Sequence, residues 1–425
     1  MEALNLEKVR GDVYREMISR LDLEKLARIE PEKARQAGGS VILDIVVSSR
    51  VPLNTVEKER LIGNLLDDVF GLGPLEPLLR DPDISDILVN SCDHVYVERH
   101  GKLERLNIAF RDDRHLLQVI DRIVSAVGRR VDESSPMVDA RLADGSRVNA
   151  IIPPLALDGP ALSIRRFGRG PLSPEALVGF KSISPEMLEI LRLAVRARIT
   201  ILISGGTGTG KTTLLNMLAR FIPDSERVIT IEDAAELQLG HSNVVRLETR
   251  PPNVEGLGAV RQRQLLINCL RMRPDRIILG EIRGEEAFDM LQAMNTGHEG
   301  SMGTIHANTP RDALSRLESM VAMASLNIPE KAVRQQIASA ISLIVQVSRL
   351  SDGARKVVSI SEITGVDENI IGMHEVFAFK RKGVAADGHV VGSFAWTRIR
   401  PRFLEQLRVA GLSVPDALFE RVTDV

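Results

Sequence analysis

The chain has 425 residues, 55 of them Lys or Arg and 57 Asp or Glu, for a formal net charge of −2. With 44% hydrophobic and 26% charged residues it has the composition of a globular protein of two or three domains, which excludes disordered, collagen-like and disulfide-scaffold classes. Near-neutral charge and 3% aromatic content leave little material for coating nucleic acid or stacking bases.

Taken in chain order, the pattern opens helical. Val9, Val13, Met17 and Leu21 recur every four residues as one apolar stripe, and Asn54 with Glu57 three residues on predicts a capped helix through Leu61, Leu65 and Val69. Residues 1–72 read as a small helical bundle, ended by the Gly- and Pro-rich run GLGPLEPLL. Over 73–168 the period shortens. DILVN (86–90) predicts a strand, 94–106 a hairpin turning near Gly101, 115–127 a helix, 139–152 a hairpin turning at Asp144-Gly145, and 161–167 another strand. A mixed sheet with one main helix summarises that stretch. Residues 169–184 read as a linker carrying a short helix, with Ser-Pro-Glu helix starts at Ser173 and Ser184. From 185 to 425 strands and helices alternate as in a doubly wound α/β domain. Strands are expected at 198–204, 227–232, 243–248, 275–281, 301–307 and 343–348, then a β-meander over 355–397 and helix again over 400–421.

Cys92 and Cys269 lie far apart, outside any CxxC pattern, and read as packed thiols of a reducing compartment. The first residues mix acids and bases with no apolar core, and the longest strongly apolar stretch, 337–347, is far short of the ~20 residues a membrane helix needs. The expectation is a soluble, cytoplasmic protein that meets a membrane only through a partner.

The chemistry concentrates in four places. Gly205-Gly206-Thr207-Gly208-Thr209-Gly210-Lys211-Thr212-Thr213, between an apolar strand and the helix TTLLNMLARF, matches GxxxxGK[ST]. Glycines let backbone N–H groups converge on phosphate oxygens at a helix N-terminus. Lys211 can reach the β- and γ-phosphates, and the Thr212 hydroxyl can hold Mg²⁺. In RMRPDRIILGEIRG, the buried strand Ile277-Ile278-Leu279 ends in Gly280-Glu281, so Glu281 is the candidate for holding Mg²⁺ and polarising the attacking water, without an acid at position 280. Glu232 and Asp233, at the end of the strand after the P-loop helix, can order Mg²⁺ or its waters. His306, at the end of the strand in TGHEGSMGTIHAN, can hydrogen-bond the γ-phosphate or Glu281; eight residues from His298 and without a nearby Cys, it does not suggest zinc.

GGTGTGKTT, IEDAAEL, GEIRG and TGH…GTIHAN in this order resemble the secretion-superfamily ATPases of type II secretion, type IV pili and type IV secretion, over roughly residues 75–350. The wording RMRPDRIILGEIRGEEAFDMLQAMNTGHEGSMGTIHANTPRDALSRLE most resembles the CpaF-type tight-adherence (Flp) pilus branch. That resemblance implies a RecA-like P-loop ATPase domain with a mixed α+β, PAS-like N-terminal domain. It also implies Mg²⁺-dependent turnover of ATP to ADP, with nucleotide between the two domains. The working form would be a homohexamer, cytoplasmic and peripheral at the inner membrane on a pilus platform protein, with no nucleic acid as partner. Domain rotation would assemble or retract the pilus. Arg147 and Arg165, then Arg141 and Arg166, are the arginines it points to for completing the site. If Asp144-Gly145 is a two-residue turn, Leu142 pairs with Arg147, which puts Arg141 and Arg147 on opposite faces, as Arg165 and Arg166 are. Two departures stand out. With two cysteines the chain lacks the tetracysteine zinc module of the type II and pilus-extension branches, and residues 1–70 add a bundle outside the shared core. A conjugative or type IV secretion traffic ATPase and a nucleotide-gated platform scaffold with little hydrolysis are the alternatives.

Overall fold

The computed structural model describes residues 2–20, 31–48, 54–99, 101–167, 172–252, 257–324, 328–419 and 422–424. The chain divides into two compact units, Met1–Arg169 and Gly170–Val425.

The first unit begins with helices α1 (Glu2–Arg20), α2 (Pro31–Ser48) and α3 (Thr55–Phe70). Val13 and Met17 bury their stripe against Ile42, Ile45 and Val46 of α2 and Leu61 and Leu65 of α3. Leu21 lies outside the described residues. Helix α3 is opened as expected: Asn54 accepts from the Glu57 backbone N–H while the Glu57 carboxylate accepts from that of Asn54. After α4 (Glu76–Arg80) come β1 (Ile84–Ser91), β2 (His94–Arg99), β3 (Lys102–Leu106), helix α5 (Asp113–Ala126), β4 (Met137–Arg141), β5 (Arg147–Ile151) and β6 (Ala161–Arg165). They form one sheet in the order β3-β2-β1-β6-β5-β4. Every pairing in it is antiparallel, so the sheet is not mixed as expected. Short turns join β1 to β2, β2 to β3 and β4 to β5, a longer loop joins β5 to β6, and the α5 crossover brings the second half back with β6 antiparallel to β1. Leu116, Val119, Ile120 and Ile123 of α5 share one core with Ile87, Val97, Val148 and Ile164.

The hairpin turn also differs from expectation. The Leu142 and Ser146 backbones pair, with the Leu142 N–H donating to the Ser146 carbonyl at 2.9 Å, so the turn holds three residues, 143–145, ending in Gly145 at φ 91°. A glycine in the left-handed region closes such a three-residue turn. Arg141 consequently pairs with Arg147, and Arg147 with Arg165.

The second unit holds α6 (Pro174–Gly179), α7 (Pro185–Arg196), β7 (Ile201–Gly205), α8 (Lys211–Ala219), β8 (Val228–Glu232), β9 (Val244–Glu248), α9 (Gln262–Cys269), β10 (Arg276–Ile282), α10 (Glu286–Asn295), β11 (Met302–Ile305), α11 (Pro310–Met323), α12 (Glu330–Ala340), β12 (Leu343–Arg349), β13 (Arg355–Asp367), β14 (Ile370–Val384), β15 (Val390–Trp396), α13 (Leu404–Val409) and β16 (Val422–Asp424). The sheet order is β16-β15-β14-β13-β12-β7-β11-β10-β8-β9. Pairings from β9 through β12 are parallel, and those from β12 through β16 antiparallel. The parallel strands are apolar on both faces because helices cover both. Ile201, Ile203 and Ile278 pack toward α7 and α8, while Leu202, Ile277 and Leu279 pack toward α9, α10 and α11. The chain after 400 is helical over Leu404–Val409 (α13) and in a 3-10 turn over Asp416–Phe419 before β16 adds an edge strand, so the expected helix over 400–421 is met in two short pieces. Residues 420 and 421 lie outside the described residues.

Ser173 and Ser184 cap α6 and α7 as predicted. Residues 168–171 lie outside the described residues, but Leu177 and Ile183 are buried in the core of the second unit, so the helix of the 169–184 stretch packs as part of that unit. Both cysteines are free, and burial pushes the Cys269 thiol up to about 12. Among the described residues no helix is long and apolar enough to cross a membrane.

Candidate active site

The loop after β7, a central strand, turns back into α8 through Gly208 at φ 69° and Gly210 at φ 97°. Both values lie where L side chains are strained. A Cβ on Gly208 would meet nothing within 4 Å, so the loop is an open cradle whose glycines serve conformation and access. At Gly205 a Cβ would lie 2.6 Å from the Val347 carbonyl oxygen of β12, which explains the glycine where the strand enters the loop. Lys211 donates to the Gly206 carbonyl at 2.9 Å, as does the Thr209 hydroxyl. Burial lowers the Lys211 pKa, a shift opposed by the charge of Glu281. Thr212 and Thr213 follow on the first turn of α8, both partly exposed.

Glu281 stands in an irregularity of β10. Leu279 pairs with Gly303 and Ile282 with Ile305, so three steps on β10 match two on β11, the signature of a bulge at Gly280-Glu281. Bulges re-aim side chains at sheet edges and active sites. Burial raises the pKa of the Glu281 carboxyl, but Arg283, Lys211 and His306 together outweigh it and hold it below the usual carboxylate value. Arg283 donates from Nη2 to Glu281 Oε2 at 2.7 Å and from Nη1 to Asp233 Oδ2 at 3.2 Å. Asp233 also accepts from the Thr249 hydroxyl at 3.3 Å.

The missing acid at position 280 has a steric cause. A Cβ on Gly280 would lie 2.8 Å from Cγ of Glu232, which packs across that strand from β8. Glu232 itself is buried, and its Oε2 accepts from the backbone N–H of Glu236 at 2.7 Å and of Leu237 at 3.0 Å. Burial raises its pKa, against the pull of those two N–H groups. Its geometry is that of a brace for the turn after β8, with Oε1 buried and without a hydrogen bond.

His306 follows β11 and lines a polar groove with Asn308, Asp312 and Arg316. Gln346 of β12 donates to the Ala307 and Asn308 carbonyls at 3.3 and 3.0 Å and fixes this loop. His298, in contrast, caps the end of α10 through the Ala293 carbonyl. P-loop, Asp233, Glu281 and His306 thus all lie at the carboxyl ends of parallel strands β7, β8, β10 and β11, where ligands gather in open α/β sheets.

The candidate arginines lie in the first unit. Arg141, Arg147 and Arg165 form one lateral row, because the three-residue turn sets Arg141 opposite Arg147. The expected division of Arg141 and Arg147 between opposite faces is therefore corrected. Arg165 donates to Asp86 at 3.1 Å, the next residue in that row. Arg166 points to the other face and donates to the Leu78 and Asp81 carbonyls at 3.1 and 2.8 Å, so it braces the entry to the sheet.

Arg283 was missed in the sequence; it lies one residue past the end of β10, in the loop that follows Glu281. Glu286 was missed as well. It is buried, and its Oε1 accepts from the backbone N–H groups of Arg283 at 2.6 Å and Gly284 at 2.8 Å.

The residues present fit a nucleotide through the open glycine cradle and Lys211. They fit Mg²⁺ through hard oxygen donors, the Thr212 hydroxyl with Glu281 and Asp233. Among the described residues no group of three or more His, Cys, Asp or Glu is arranged to hold a metal by itself, so phosphate oxygens would have to complete such a site.

A parallel sheet segment with a P-loop after its central strand and a carboxylate at the end of the next strand but one defines a RecA-like P-loop ATPase. Residues 68–388 match the family described as Type II/IV secretion system protein, and the chain belongs to that family of secretion ATPases. It is 39% identical over 303 residues to a putative conjugal transfer protein of Mycobacterium tuberculosis, covering 70% of this chain and 86% of that one. It is 35% identical over 313 residues to the type IV secretion system protein PtlH of Bordetella pertussis, covering 68% and 92%. Its fold is similar to that of the pilus retraction motor PilT with bound ADP, with a TM-score of 0.50 and 20% identity over 78% of this chain and 84% of that one.

Proposed function

We propose that this secretion ATPase is a homohexameric motor that powers assembly or retraction of a tight-adherence type IV-like pilus, working on the cytoplasmic side of the inner membrane against a platform protein. The run from Arg271 to Glu318 supports that branch by its resemblance. The observation that carries the hydrolytic reading is Glu281, aimed by a bulge into the electrostatic reach of Lys211 and His306. Lys211 and the P-loop amides bind the β- and γ-phosphates, and Glu281 orients the attacking water. Mg²⁺, when bound, would supply neutralisation of phosphate charge. Thr212, with Asp233 and Glu281 through water, would hold it. Arg147 and Arg165 are the arginines proposed to offset charge developing in the transition state.

A second reading has specific support. Relatives that carry conjugal transfer and type IV secretion names favour a conjugative or secretion traffic ATPase. Near-neutral charge and few aromatics weigh against one that grips single-stranded DNA itself.

The test is phosphate release by wild type and Glu281→Gln, with nucleotide binding checked on both and complementation of a deletion strain scored for surface pili. The motor reading expects the variant to bind nucleotide, to lose turnover by at least about 100-fold and to leave cells bald. Cells that keep their pili but lose DNA or protein transfer would move the assignment to the second reading. Rings that bind ATP and never release phosphate would make the chain a scaffold.

A further inference from the structure

We infer that Arg283 is a positioning residue for hydrolysis: it clamps the Glu281 carboxylate in its working orientation, using Asp233 on the adjacent strand as its second anchor. The inference rests on the proposed role of Glu281 and deepens it. One guanidinium spans two strand ends, reaching Glu281 Oε2 at 2.7 Å and Asp233 Oδ2 at 3.2 Å. A planar fork with fixed donor directions suits such a bridge, and its charge offsets the repulsion between two neighbouring carboxylates.

The clamp has its own support. The buried Glu286 carboxylate holds the backbone N–H groups of Arg283 and Gly284, so the loop that carries the guanidinium is fixed from below. The guanidinium is about half exposed, so its removal leaves no cavity. What it supplies is orientation. A glutamate on a bulge, with several rotatable bonds, would otherwise sample positions that do not face the water. Misplacement by about 1 Å can cost about 100-fold in rate.

The test compares full-length wild type, Glu281→Gln, Arg283→Ala, Arg283→Lys and the Arg283→Ala/Glu286→Ala double variant. Phosphate release is measured across ATP concentration, and binding of a fluorescent ADP analogue is measured separately. Arg283→Ala should lower kcat about 10- to 100-fold with KM and analogue binding within about threefold of wild type. Arg283→Lys should recover part of the rate, because an ammonium can reach one carboxylate but not bridge two. The double variant should be no slower than Arg283→Ala, since Glu286 acts through Arg283. An unchanged or raised kcat for Arg283→Ala, or a loss that appears in KM and analogue binding instead, would overturn the clamp while leaving Glu281 in place. Full turnover by Glu281→Gln would remove the reading beneath it.

Discussion

At the scale of single residues, the site is shaped by what cannot be placed as much as by what is present. Gly280 stands where a second acid was sought, and the reason is Glu232 lying across it. No φ constraint requires glycine there; only space does. Gly280→Ala should therefore destabilise the fold by about 1–3 kcal/mol through overpacking and reduce turnover, measured by denaturant unfolding and phosphate release. Combining it with Glu232→Ala should restore part of the stability, which separates a steric cause from a backbone one. Gly300 differs: its φ of 78° already favours glycine, and space is short there as well. A Cβ there would lie 2.4 Å from Nη1 of Arg276, a fully buried arginine that pairs with Glu226 at 2.6 Å and donates to the Val195 carbonyl at 2.7 Å. The TGHEG run thus contains a packing glycine beside its histidine.

At the scale of elements, local rules held where the partner of each group lies a few residues away. The caps at Asn54, Ser173 and Ser184, and the strand–loop–helix of the P-loop, form as their sequences predict. Asn54→Ala should cost about 1 kcal/mol, because it removes one acceptor of a reciprocal pair. The check is hydrogen exchange, with faster exchange confined to the first turn of α3 and turnover unchanged. Register was the weak point. Asp144-Gly145 suggested a two-residue turn, whereas the backbone closes a three-residue one, and that single extra residue moves Arg141 onto the face of Arg147.

At the scale of the whole molecule, two units divide the proposed work: the parallel half of a mixed sheet carries the P-loop and acids, and an antiparallel sheet carries a lateral row of arginines. Arg147→Ala together with Arg165→Ala should leave the melting temperature within a few degrees, since both side chains are exposed. The same pair should lower turnover by about 100-fold or more with nucleotide binding retained, as expected for groups that act on transition-state charge. Unchanged turnover would reduce the row to surface charge.

The sequence by itself determined the α/β alternation, the strand–glycine loop–helix that carries Lys211, the strand that carries Glu281, and the capped helix starts, because each depends on a local period, a glycine conformation or a partner within four residues. Only the tertiary structure decided that Glu232 excludes a side chain at 280, that Gln346 holds the loop of His306, and that three arginines share a row. It alone set Asp233 within reach of Arg283, 50 residues further along the chain. Such relations arise from strand order and register, which pair residues tens of positions apart, and no window of sequence contains both partners.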